Sequence, residues 1–259
     1  MDEEILERRE RVAAYDFREV HPNLHFGTAG DRYAGWIGQI YPHDYEERVE
    51  SRTKRLNGQV LEERMLPVES VRDYFEHFSV LELDFTFYRP LLEADGSSSN
   101  SVHVLRNYVD DAPDDALFLL KAPQAYFART LRRSGKGAGI HYEENPDFVN
   151  AEAFTKLFLN PALDILGDTL QGVIFQQEYQ RVRDAPSPEE NIAELDGFFG
   201  SIPKTFQPHI ELRLPTSWFR PTSTGWRAAA LVSCSATGPG CPRSDVNGRC
   251  AGGGLRQPM

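Results

Sequence analysis

The chain has 259 residues, a formal net charge of −11, 40% hydrophobic residues and 26% charged ones. That is enough for one sizeable core or two small ones, and it excludes wholesale disorder. The acidic balance argues against nucleic acid or an anionic membrane as the main partner, and no stretch reaches the roughly twenty apolar residues of a membrane helix.

Residues 1–20 read as a charged, solvated helical extension. Their start, MDEEILERRERVAAYDF, lacks the apolar core of a signal peptide, so a cytoplasmic location is expected. Residues 21–220 read as one α/β domain. Leu24 to Thr28 predict a short buried strand that breaks into a loop at Gly30, with Tyr33, Trp36 and Tyr41 closing a pocket over it. A helix follows: Pro67 suits its first position, and Val68, Val71, Phe75 and Phe78 form one apolar stripe. SVLELDFTFY (79–88) predicts a strand, with Leu81, Leu83 and Phe85 alternating against Glu82, Asp84 and Thr86. DGSSSNS (95–101) predicts a flexible loop.

ALFLLKAP predicts a third strand, ended by Pro123. Residues 150–167 predict a helix kinked near Pro161 and stopped by Gly167. GVIFQ, apolar on both faces, fits a covered parallel strand. In SPEENIAELDGFFG, Ser187, Pro188 and Glu190 make a capping box ahead of the buried face Ile192, Leu195 and Phe199. HIELR is a fifth strand. Strand and helix alternate throughout, which gives a parallel α/β architecture. Residues 221–259 lose all periodicity, hold all three cysteines and abound in Gly, Ser and Arg, so a disordered or aberrant tail is expected. Those cysteines fit neither zinc-ligand spacing nor a complete disulfide set.

Parallel α/β folds keep their sites at the C-terminal ends of the strands. Here those ends supply Glu82, Asp84, Lys121, Gln176, Glu211 and Arg213. Carboxylates with a lysine and an arginine at one mouth suit general acid–base work on an oxyanion or a sugar hydroxyl. The competing reading is that these charges pair with one another to satisfy burial. The glycines of the first loop match neither the dinucleotide nor the phosphate-loop fingerprint, and no Gly-x-Ser-x-Gly elbow occurs. The histidines are scattered, so no metal site is expected, and no cofactor is indicated.

Taken in order, FGTAGDRYAGWIGQIYP, VLELDFTFYRP, FLLKAP, GVIFQ and IELRLPTSW resemble the successive signatures of the DUF72 (YecE-like) family, from about residue 24 to Phe219. The resemblance implies a TIM-type barrel of unassigned function. It carries Gly27, Thr28, Gly30, Tyr33, Trp36, Gly38, Tyr41 and Pro42 from the first loop. From the strands it carries Glu82, Thr86, Phe87, Tyr88, Arg89, Lys121, Pro123, Gln176, Glu211, Arg213 and Trp218. Asp31 stands where the family usually has an aromatic residue, and Gln177, Glu178 and Tyr179 where it usually has Leu-Pro-Pro. Barrel closure takes eight strands and only about five are legible, so an incomplete barrel on a truncated or frameshifted chain is expected.

The expected function is an enzyme acting on a small polar, phosphorylated or sugar-like substrate. Glu82, Lys121 and Glu211 would carry the chemistry, while Tyr33, Trp36, Tyr88, Arg89, Gln176 and Arg213 would bind substrate. The alternatives are a non-catalytic binding or regulatory barrel and an inactive truncated product.

Overall fold

A computed structural model describes residues 3–13, 17–18, 20–56, 59–135, 139–177 and 185–211. Arg213, Trp218, the cysteines and the predicted tail lie outside these residues. In chain order the elements are α1 (Glu3–Ala13), β1 (Gly27–Ala29), β2 (Glu50–Leu56), β3 (Gln59–Met65), α2 (Val71–His77), β4 (Val80–Leu83), α3 (Asn100–Asp111) and β5 (Leu117–Lys121). There follow α4 (Gln124–Phe127), β6 (Thr130–Gly135), β7 (Gly139–Glu144), α5 (Ala151–Phe154), α6 (Asn160–Leu166), β8 (Leu170–Gln176), α7 (Pro188–Ser201) and β9 (Pro208–Glu211).

Five strands form one sheet in the order β1-β4-β5-β8-β9, every pair parallel. No closed barrel forms among the described residues. The sheet has two unlike faces. Leu81, Leu83, Phe118, Leu120, Val173, Phe175 and Ile210 are buried in the core shared with the helices. The opposite face carries Val80, Glu82, Leu117, Leu119, Lys121, Ile174 and His209, all only half-buried. In GVIFQ, Val173 and Phe175 are buried on the helix-covered face, and on the other face Gly172 and Gln176 are buried while Ile174 is half-buried. Under β8 lies a ring cluster: Phe175 meets Phe127 and Phe199 at 5.0 Å, Phe154 at 5.3 Å and Phe198 at 5.7 Å between centroids. Such tilted and edge contacts add to the area these rings bury.

The kink at Pro161 takes a specific form. α5 and α6 are joined by a π turn over Thr155–Leu159. Proline has no N–H to give the carbonyl one turn back, and that carbonyl, of Leu157, accepts the N–H of Leu92 at 2.9 Å instead. Gly167 ends the helix at φ +52°, a conformation glycine adopts without penalty.

Three expectations need correction. β1 starts at Gly27, and Leu24 and Phe26 are exposed. The bare Gly27 backbone packs so closely on β4 that a Cβ would lie 1.8 Å from the Val80 carbonyl oxygen. The strand predicted over 79–88 stops at Leu83, and Asp84–Phe87 form a 3₁₀ turn. Thr86 drives that turn inward, donating from Oγ1 to the carbonyl of Lys121 at 2.7 Å. Finally, 95–101 is a tight turn leading into a helix. Asp95 accepts from the Ser97 amide and hydroxyl at 2.9 and 2.7 Å, Gly96 takes φ +83°, and Ser99 caps α3.

Two antiparallel hairpins escaped the sequence reading, β2–β3 and β6–β7. Each follows a sheet strand, β1 or β5, and so leaves from the C-terminal edge of the sheet, where functional loops of parallel folds gather.

Candidate functional site

The parallel register decides which side chains meet. Ala29 pairs with Glu82 and Glu82 with Leu119; Lys121 pairs with Ile174 and Ile174 with His209; Gln176 pairs with Glu211. Since side chains alternate in a strand, Glu82, Lys121, Gln176, His209 and Glu211 all stand on the half-covered face at its C-terminal end.

Lys121 is the hub. Its Nζ donates to Gln176 Oε1 at 2.8 Å, lies 3.1 Å from Glu82 Oε1 and 3.9 Å from Glu211 Oε2. The side chains of Lys121, Glu82 and Glu211 are 15%, 20% and 8% exposed. One ammonium is thus shared by two carboxylates in a partly dry setting, where charge is costly unless paired. The carbonyl of Lys121 is fixed by Thr86, so backbone and side chain are both constrained. The arrangement can accept a proton at a carboxylate, return one from a carboxyl, and hold developing negative charge against an ammonium.

The remaining candidates make no contact with Lys121 among the hydrogen bonds and ion pairs of the described residues. Tyr33 is 62% exposed, with its ring edge-on to Trp36 at 5.6 Å; Trp36 packs back on Tyr41. Tyr41 itself is core, and its hydroxyl donates to the Asp31 carbonyl at 2.6 Å. Tyr88 is 71% exposed against Phe87. Arg89 pairs with Glu93, four residues along the chain, at 2.7 Å. Arg213 is outside the described residues.

Three features escaped the sequence reading. His209, two residues before Glu211 on the same face, packs its ring where Gly172 has no Cβ, and burial lowers its pKa, favouring the neutral imidazole. The strand period alone could have flagged it. At the end of β8, Gln177 Nε2 donates to Asn191 Oδ1 at 3.1 Å, and Arg129 bridges Asn191 and Glu194 of α7. This network ties the base of the β6–β7 hairpin to α7. Asp31 is a buried carboxylate below the first loop, and burial pushes its pKa up to about 6. Among the described residues no three His, Cys, Asp or Glu side chains gather as a metal-binding set.

A family model described as a protein of unknown function, DUF72, matches residues 25–234. A solved structure of a DUF72 family protein, TM1631 from Thermotoga maritima MSB8, is 17% identical with a TM-score of 0.43. The match covers 76% of this chain and 57% of that one, so the chain spans little more than half the length of that relative. No curated protein matches. With the family model running from the first sheet strand past the last, the chain belongs to the DUF72 family.

Proposed function

We propose that the Lys121 cluster performs acid–base catalysis on a small polar, phosphorylated or sugar-like substrate at the C-terminal mouth of the sheet. The observation that carries this reading is Lys121 Nζ set within 4 Å of both Glu82 and Glu211. One carboxylate takes a proton from a substrate hydroxyl, the other returns a proton to the departing or accepting oxygen, and Lys121 offsets the negative charge between these steps. Gln176 orients the lysine. Tyr33, Trp36 and Tyr88 wall the mouth, and Arg89 and Arg213 hold the rest of the substrate. With a chain charge of −11, the partner in this reading is a small molecule and not a nucleic-acid backbone, and its setting is the cytoplasm.

The test is a turnover screen against sugars, polyols and their phosphates, repeated with Glu82→Gln and Glu211→Gln. We expect at least one of the two to lose about 100-fold or more in kcat/KM, the usual worth of a positioned acid or base. Its melting temperature should stay within a few degrees of the native protein. Activity unchanged in both variants overturns the assignment. Saturable binding of a screened compound without turnover would establish the non-catalytic alternative.

A further inference from the structure

Asp31 is a carboxylate for which the cluster at the mouth has no use. It follows Gly30 at the exit of β1, is 1% exposed, and begins the loop that carries Tyr33 and Trp36. Its Oδ1 accepts the Tyr108 hydroxyl of α3 at 2.8 Å. Its Oδ2 is buried and no donor among the described residues reaches it. A buried carboxylate commonly collects two or three donors when it is ionised. This one has a single side-chain donor, with smaller support from the Asp31 and Arg32 amides.

The groups around it do not make up the difference. Within the loop, the Tyr41 hydroxyl goes to the Asp31 carbonyl and not to the carboxylate. Arg32 is the one cation of the described residues that acts on Asp31. Its guanidinium, however, donates to the Leu66 carbonyl and lies 4.0 Å from Glu50. From α2 comes the Tyr74 phenol, with Asp73 beyond Tyr41; from α3, Tyr108; from the turn after β4, Asp84 behind Tyr108. These are phenols held protonated by burial, or further acids. Ionised Asp31 therefore faces a surround in which burial outweighs the Tyr108 hydroxyl, the two nearby amides and the Arg32 charge.

We propose that Asp31 is a proton-operated clasp on the mouth loop, residues 30–42: protonated, it seats the loop on α3; ionised, it releases the loop toward water. Many of the loop's other ties are local. Its own turn is closed by Tyr33, Gln39, Ile40 and Tyr41 amides bonded within the loop, and Gly38 at φ +75° lets it reverse. Its grip on the body runs at its start through Gly30 to the Glu82 carbonyl, Asp31 to Tyr108 and Arg32 to Leu66, and at its end through the buried side chains of Ile40 and Tyr41. Losing the Asp31 tie leaves Tyr33 and Trp36 on a stretch held by Gly30, by Arg32 at the hairpin and by Ile40 and Tyr41 at its far end. The rise of the Asp31 carboxyl to about 6 centres the working range on the acid side of neutrality. This inference does not rest on the chemistry of the Lys121 cluster.

Backbone hydrogen exchange of the full chain tests it, read over residues 30–42 and corrected for intrinsic rates. We expect protection of this segment to fall about tenfold or more between about pH 5 and pH 7.5, while the β5 and β8 amides hold theirs. In Asp31→Asn, which keeps the acceptor for Tyr108 and removes the charge, protection should stay high at both pH values. Tyr108→Phe, which removes the one side-chain donor, should move the transition to lower proton concentration. Protection that is independent of pH in the native protein overturns the proposal, as does a pH dependence that persists in Asp31→Asn. A carboxyl ¹³C titration of native Asp31 with its midpoint at the ordinary value of 3.8 would overturn it as well.

Discussion

At the residue scale, Asp31 and Lys121 show two ways a buried charge is handled. Lys121 is compensated by two carboxylates and an amide oxygen. Asp31 is not, and its folded pKa of about 6 stands above the ordinary 3.8. A raised acid stabilises the fold while it is protonated: the contribution is fully present below 3.8 and is lost as pH rises through about 6. The native state binds the proton more tightly than the unfolded chain, so stability falls with pH across that window. The displacement corresponds to about 3 kcal/mol if the loop stays shut, and to less if the loop opens first and hydrates the carboxylate. Urea unfolding at about pH 7.5 should find Asp31→Asn more stable than the native protein, and the difference should vanish near pH 4. An equal or lower midpoint at neutral pH would show that Asp31 is better solvated than its contacts indicate. The sequence made Lys121, Glu82 and Glu211 legible because charges inside strand patterns stand out. Asp31 was visible only as a departure from its family, since nothing local says that an Asp after glycine will be covered by a helix seventy residues away.

At the element scale, local signals were readable wherever the stabilising contact is itself local. The Ser187–Glu190 capping box of α7 forms as its spacing implies, both hydrogen bonds being present, and it lowers the Glu190 pKa. α3 was missed although its cap is buried. Ser99 sits in a serine run that reads as loop, and its role depends on Pro90, nine residues back, whose carbonyl accepts its hydroxyl at 2.7 Å. The same hydroxyl oxygen accepts the Ser101 amide at 3.2 Å, and Ser99 is only 2% exposed. The two hairpins were missed because strands such as ESRTKRL carry charge on both faces and offer no period-two apolar signal. Two serine deletions compare the caps. Ser99→Ala should cost about 2 kcal/mol, since it strands a buried carbonyl as well as uncapping a helix. Ser187→Ala, at an exposed cap, should cost about 1 kcal/mol or less. Denaturant midpoints give the order, and the reverse order would mean that burial of Ser99 adds nothing to its cap.

At the scale of the whole molecule, the sheet divides labour between its faces. The helix-covered face holds the phenylalanine cluster and the fully buried leucines, and it is where the fold's stability resides. The other face keeps its charged groups at the C-terminal end and its apolar residues, Val80, Leu117, Leu119 and Ile174, only half covered. In a closed eight-stranded barrel, inward side chains fill the interior in layers and count as core. The five-stranded sheet described here makes a different demand, and β5 tests it with two neighbouring residues of the same type. Leu120 points into the helix-covered core and is 0% exposed, so Leu120→Ala should cost about 3 to 4 kcal/mol, removing buried methyl groups and leaving a cavity. Leu119, one residue earlier, points to the half-covered face beside Glu82. Leu119→Ala removes the same atoms but exposes the gap to solvent in place of sealing a void, so it should cost about 1.5 kcal/mol or less. Equal losses in urea unfolding would mean that the inner face is packed as tightly as the outer one. The Lys121 cluster would then sit over a filled interior, and a substrate could approach it only from the strand ends.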